Sequence, residues 1–565
     1  MSKRYLVVGG VAGGASVAAR IRRLDESAEI VMFERGPYVS FSNCALPFHL
    51  SGMVEDSDEL ILMTPEVFEK QYNIDARVYH NVENIQPEEK TISVRNVETD
   101  EVMTEEYDYL ALAPGAEAIM PESIKGIGEK HVFRMKTVPD VDNLQKYIDN
   151  NDVKDVAVVG AGFIGMETAE NLKLAGLNVT VVEAADQVMA PFDYDMAQIL
   201  HKELYDQGVN LLLNDSVVEI TDDQVILASG EKVDAQAVVM SIGVYPQVEL
   251  AEKAGLELGE CGGIKVNHNF QTSDPSIYAV GDAIEVYDKI TRQSTLLTLA
   301  GPAQREARSA ADHMLGKDVR RTGTLNSSVL KVFDLNAAST GKNEKDLIEA
   351  DIAYDTAYVV PMDQVGLMPD AAPLYFKLIF AEPTGEILGA QAIGQGNVDK
   401  RVDIIATMIT MNGTLDDLKE LELCYSPLFG TAKDAVNHAA LVGLNVLNGE
   451  VKQVPVTAVR DLVEQDAFIM DSREPQEFEQ GHFKNAVNIP MSEFRQRLDE
   501  IPTDEPVYVH CRTSQRSYNV VRALTNLGFD NVYNMQGSFL GVCIYEYYND
   551  QIKDREPIVT AYNFD

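Results

Sequence analysis

Residues 5–24, YLVVGGVAGGASVAARIRRL, decide the fold. A short apolar run meets a cluster of glycines that opens into a helical pattern, so the stretch reads as buried strand, tight turn and helix. The next strand, EIVMFER, ends at Glu34 and Arg35. In such a β-α-β unit the glycines let the backbone approach a pyrophosphate, the helix N-terminus adds its positive end, and the distal carboxylate takes the ribose hydroxyls. The cluster here is Gly9-Gly10-Val11-Ala12-Gly13-Gly14, with Val11 where the middle glycine is usual, and a plain α/β crossover is its alternative reading.

The same grammar returns at 156–176, VAVVGAGFIGMETAENLKLAG, where Gly160, Gly162 and Gly165 frame Phe163 and Ile164 and the strand NVTVVE ends at Glu183. Two such turns imply two dinucleotide cofactors. Glu183 repels a 2′-phosphate and no arginine follows it closely, so NADH is expected over NADPH.

A chain of 565 residues is too long for one core and suggests roughly three to five domains. The formal charge of −42 opposes nucleic acid and anionic membrane surfaces as partners. No apolar run reaches the ~18 residues that span a bilayer, and the expected location is cytoplasmic. Five scattered cysteines fit neither a disulfide framework nor a metal site, so no metal is expected and the thiols are read as reduced. Of these, Cys261, Cys424 and Cys543 read as packing residues.

Cys44, in VSFSNCALPFHLSG (39–52), has no second cysteine near it. That points to single-thiol redox chemistry. Farther on, YLALAPGA (109–116) with Pro114 and Gly115, a glycine at Gly243, and SIYAVGDAIE (276–285) with Gly281 and Asp282 precede a helix expected to start at Gly301-Pro302. From about 325 to 445 the pattern changes to strands and then to helices around 399–411 and 431–447. A polar stretch at 447–455 precedes a compact strand-helix alternation. There Cys511 heads the loop CRTSQRS (511–517), formed by Arg512, Thr513, Ser514, Gln515, Arg516 and Ser517. A loop of inward-facing N–H groups opening a helix lowers a thiol's pKa and cradles an anionic sulfur species.

With these motifs the chain resembles the pyridine nucleotide–disulfide reductase group, and over 1–445 the coenzyme A-disulfide reductase family. Residues 456–565 resemble a rhodanese domain, through DSREPQEFEQGHFKNAVNIP and VYVHCRTSQRS. The combination is that of a persulfide reductase with a C-terminal rhodanese. The resemblance implies an α/β protein with an FAD-binding domain (1–150 and 278–325), an NAD-binding domain (151–277), an α+β dimerisation domain (326–447), a linker (448–455) and the rhodanese domain.

By the same resemblance FAD is held by the first turn, with Asp282 on the ribityl chain, Glu34 on the adenosine ribose, the Val82 backbone on the adenine, and the helix near Pro302 pointing at the flavin. Phe163 would gate the nicotinamide and Glu167 position its ring. Coenzyme A would meet Arg20, Arg22, Arg23, Ser40, Asn43, Arg305 and Arg308, a solvated basic face being the alternative reading of the arginines. Cys44 would carry the redox chemistry, with Tyr425 reaching it from the partner of a homodimer. A second family tyrosine is missing, because this chain has Leu367 and Met368 in VGLMPDA (365–371). Cys511 would accept sulfane sulfur, and Arg473 with Glu474 would help hold its loop or form an ordinary surface ion pair. The implied activity is NADH-dependent, FAD-mediated reduction of coenzyme A persulfide, polysulfide or disulfide, coupled to sulfur transfer on small-molecule substrates. An NADH oxidase or peroxidase with a cysteine sulfenate is the alternative, although Ala12 stands where those relatives usually place a histidine.

Overall fold

A computed structural model describes residues 2–320 and 322–564. The chain divides into two compact units: the chain up to Ala184 with Asp215–Thr324, and Ala185–Asn214 with the chain from Leu325 onward.

In the first unit, strand Arg4–Val8 lies at the centre of a parallel sheet. Glu29–Phe33 and Asp75–Arg77 extend it to one side, Tyr109–Leu112 and Ile277–Ala279 to the other. Arg4–Val8 is buried along most of its length, as a sheet covered on both faces requires. The strand order reverses beside this central strand, and in such sheets ligands bind at that switch point. A second parallel arrangement repeats the plan, with Asp155–Val159 between Asn178–Glu183 and Ala237–Met240, and Val132–Arg134 beyond. Each carries a three-stranded antiparallel excursion, His80–Gln86 with Thr91–Asn96 and Val102–Glu106 in the first, and Val217–Ile220 with Gln224–Leu227 and Lys232–Asp234 in the second. The duplication read from the two glycine turns is therefore an architectural one.

The second unit holds an antiparallel sheet of five strands between Ser328 and Gly394, against which helix Val398–Thr410 packs. Helix Ala435–Leu447 ends at the residue where the dimerisation domain was expected to end. A parallel five-stranded sheet follows, with Val507–His510 central.

Two boundaries differ from the sequence reading. The stretch read as a linker contains strand Gln453–Val454, which pairs with Val532–Met535 and so belongs to the C-terminal sheet. Residues 185–214, expected in the NAD-binding domain, group with the second unit. Packing explains this. Helix Tyr194–Asp206 lies on the C-terminal helix Ser538–Ile552, with Tyr194 on Tyr545 and His201 on Tyr548. At the start of the helix, Asp193 and Asp195 bind the buried ammonium of Lys377 at 3.0 and 2.9 Å, and Glu344 binds it at 2.5 Å. These three carboxylates are the cluster with metal-ligand geometry among the described residues, and the lysine already supplies their cation.

Candidate functional site

The two glycine turns are near copies in three dimensions. A Cβ on Gly14 would lie 1.8 Å from the Gly9 carbonyl oxygen, and one on Gly165 would lie 1.9 Å from that of Gly160. Only glycine lets each helix start this close to its strand. The Glu34 carboxylate accepts the Gly10 N–H at 2.9 Å, and Glu183 accepts the Ala161 N–H at 2.7 Å, so both acids sit at the mouth of their turn.

The helices that begin there, Ala12–Leu24 and Phe163–Leu174, have no side-chain cap and no acidic residue in the first turn. The same is true of Ala300–Met314, which starts two residues before Pro302. An uncapped, acid-free helix start offers its free N–H groups and positive end to an anion. These residues therefore fit dinucleotide cofactors.

Cys44 is placed by local bonds. Ser40, in the left-handed region at φ 49°, donates its N–H to the Gly10 carbonyl at 2.8 Å and so ties the cysteine loop to the first turn. Asn43 Nδ2 donates to the Lys136 carbonyl at 3.3 Å. Cys44 is the middle residue of the turn Asn43–Ala45 and keeps an exposed face. Enough protein still surrounds the sulfur that desolvation raises its pKa first; Glu167 and Asp282 raise it further, and Lys136 opposes them. Lys136 Nζ stands 3.7 Å from Asp282, whose own pKa is raised by burial. The sequence reading missed Lys136. A lone lysine ahead of a Thr137 helix cap carries no chemical pattern, and only the fold brings it to Cys44.

The arginines separate. Arg23, Arg305 and Arg308 are exposed. Arg20 is paired with Asp312 through two nitrogens at 2.8 and 2.6 Å. Arg22 corrects the expectation of a coenzyme A contact: it is 5% exposed and donates to the carbonyls of Asp25, Glu26, Ala28, Tyr72 and Asn73. With its donors committed to the chain it holds the end of the helix rather than a ligand. Arg35 pairs with Glu117, and Val82 lies buried in its strand. Gly115, Gly243 and Gly281 all adopt positive φ.

In the second unit Tyr425 is 52% exposed, and the Val365 N–H donates to the Pro427 carbonyl at 3.2 Å. That bond brings the loop of Leu367 and Met368 beside the loop of Tyr425. Leu367 is 87% exposed.

Cys511 directly follows strand Val507–His510 and is 1% exposed. The amides of Arg512, Thr513 and Ser514 donate to no partner among the described residues, which leaves them for an anion. Ser514 takes φ 73° just before helix Gln515–Asn526. Arg516 lies close enough to Cys511 to interact with its sulfur electrostatically and is gripped by Glu477 through two bonds of 2.6 Å. Ser517 Oγ lies 3.6 Å from the sulfur and donates to Asn534 Oδ1 at 2.6 Å. Arg512 turns to the Asn563 carbonyl. Arg473 is fully buried against Asp471, which excludes the reading as a surface pair. Glu477 was also missed, being one acid among several in EPQEFEQ. Of the remaining cysteines Cys543 is buried, while Cys261 and Cys424 are exposed and do not serve packing.

Three family descriptions match the chain: Pyridine nucleotide-disulphide oxidoreductase over residues 3–307, its dimerisation domain over 327–436, and Rhodanese-like domain over 456–544. The Coenzyme A disulfide reductase of Staphylococcus haemolyticus is 33% identical over 436 residues, covering 77% of this chain and 98% of the relative. The crystal structure of reduced Bacillus anthracis CoADR-RHD is 44% identical with a TM-score of 0.94, covering 97% of this chain and 99% of that one. A NAD-dependent persulfide reductase from A. fulgidus is 33% identical with a TM-score of 0.90, covering 95% and 99%. A water-forming NADH oxidase from Lactobacillus brevis matches more distantly, at 26% identity, a TM-score of 0.76 and coverage of 80% and 100%.

Proposed function

The chain belongs to the pyridine nucleotide-disulphide oxidoreductase family, and from that premise we propose how its residues divide the work of an NAD(P)H-dependent flavoprotein fused to a rhodanese. It is an oxidoreductase that reduces coenzyme A disulfide or persulfide-type substrates. The observation that carries this reading is the solitary Cys44, tied to the first glycine turn by the Ser40–Gly10 bond and flanked by Glu167 of the second turn's helix.

FAD bound at the first turn supplies the two-electron relay between nicotinamide and sulfur. Gly9, Gly10, Gly13 and Gly14 would receive its pyrophosphate, Glu34 its ribose and Asp282 its ribityl chain. Gly160, Gly162 and Gly165 would receive the second dinucleotide. Glu183 favours NADH there: a 2′-phosphate would meet its carboxylate with Ala184, Ala185 and Asp186 following and no cation among them. Cys44 thiolate attacks the disulfide or persulfide guest, and its mixed sulfur bond is then reduced. Lys136 sets the charge beside Asp282 and the thiol. Arg23, Arg305 and Arg308, exposed and in no ion pair among the described residues, are suited to the coenzyme A phosphates, with Arg20 available if Asp312 releases it. In a homodimer, Tyr425 of the partner subunit would complete the site.

At the second thiol, Cys511 accepts sulfane sulfur while the Arg512–Ser514 amides and Arg516 hold the resulting anion. Coenzyme A would carry sulfur between the two thiols. The test is anaerobic stopped-flow oxidation of NADH by the FAD-loaded protein with coenzyme A persulfide, coenzyme A disulfide, peroxide or oxygen. Rapid turnover with the first two, and NADH favoured over NADPH by about 100-fold in kcat/KM, or about 2.7 kcal/mol, are expected. Turnover with peroxide or oxygen alone would move the protein to the oxidase reading.

A further inference from the structure

The helix Leu46–Leu50, which continues from the Cys44 turn, packs along Phe163–Leu174. Ser51 Oγ, at its end, donates to Asn171 Oδ1 at 2.6 Å, and Asn171 Nδ2 donates back to the Glu167 carbonyl at 2.8 Å. Residues 167 and 171 lie one turn apart on one helix face, so Glu167 stands on the face that the Cys44 segment covers. No cation or hydrogen-bond donor is paired with its carboxyl among the described residues. The groups around the pair are Glu170 and Asp282, both acidic, and Lys136, which faces Asp282.

We propose that Glu167 and Cys44 share one proton, and that Glu167 delivers it to the departing thiolate of the guest. Two close acids with one cation nearby cannot both ionise freely, so one proton serves the pair. Burial, with Glu170, pushes Glu167 up to about 7, where a carboxyl both holds and releases a proton in neutral solution.

The inference rests on the sulfur-reducing role assigned above. Cys44 thiolate attacks the outer sulfur of R–S–SH; the Cys44 S–S bond forms, the guest S–S bond breaks, and RS⁻ takes the Glu167 proton to leave as RSH. Two electrons and the proton of one hydride then convert the Cys44 persulfide to Cys44 thiolate and H₂S. Solvent returns a proton to Glu167. The sum is NADH + H⁺ + RSSH giving NAD⁺ + RSH + H₂S.

The experiment compares wild type, Glu167→Gln and Glu167→Asp as FAD-loaded, thiol-reduced proteins. Alkylation of Cys44 by iodoacetamide is followed by peptide mass spectrometry across pH, and flavin reduction by NADH by stopped flow. Removing a neighbouring negative charge lowers a thiol's pKa, so E167Q should shift the alkylation midpoint down by about one pH unit while E167D restores it. Persulfide turnover in E167Q should fall by about 100-fold. Superimposable alkylation profiles overturn the proposal, and slowed flavin reduction with an unchanged profile would reassign Glu167 to positioning the nicotinamide. A shifted profile in a protein whose wild type reduces no sulfur substrate would preserve the shared proton and overturn its delivery to the guest, together with the functional reading.

Discussion

Cys44 keeps an open face and has two carboxylates, Glu167 and Asp282, bearing on its sulfur; Cys511 is buried under its loop with Arg516 beside it and with amides that have no partner among the described residues. At Cys44 burial and the two acids raise the thiol's pKa, with Lys136 opposing them. The contrast matches two kinds of sulfur chemistry. An open thiol with a proton source beside it suits a bulky guest that leaves as a thiol, whereas a closed, donor-rich loop suits a small sulfane group held as a persulfide.

The strongest test of this contrast is reciprocal. Cys44→Ser should reduce NADH-dependent persulfide reduction by about 1,000-fold or more while the flavin stays bound, because the group that forms the covalent intermediate is lost. Cys511→Ser should remove thiosulfate sulfurtransfer and leave reduction of small persulfides within about twofold. Parallel loss of both activities in either variant would join the sites into one.

Lys377→Met should act on neither thiol. It leaves Asp193, Asp195 and Glu344 without their shared cation, and breaking such a buried cluster costs about 3–5 kcal/mol. Denaturant unfolding should show that loss, with the ratio of the two activities unchanged in the surviving fraction. A smaller effect is expected for Glu477→Gln, which loosens the grip on Arg516. Sulfurtransfer should fall by about 10- to 100-fold, with reductase turnover intact.

The parts of the site written as local patterns could be read from the chain alone. Both glycine turns, their terminal acids and the Cys511 loop are contiguous, and a few neighbouring residues fix each one. What escaped depended on distance along the chain or on helix rotation. Lys136 and Glu477 gain meaning only beside Cys44 and Arg516. Arg20, Arg22 and Arg23 look alike in sequence, but one helix turn sends them to Asp312, to five backbone carbonyls and to the exposed helix face beside the Ala19 carbonyl respectively. Residues 185–214 follow the nucleotide strand without a break, yet their aromatic face and Asp193 find their partners more than a hundred residues later.

The most direct measurement is intact and peptide mass spectrometry of the FAD-loaded protein mixed anaerobically with coenzyme A disulfide and then with NADH. The account predicts one coenzyme A joined through a disulfide to the peptide containing Cys44, released when NADH is added. Turnover without that adduct, or an adduct on another cysteine that NADH discharges at the turnover rate, would contradict it.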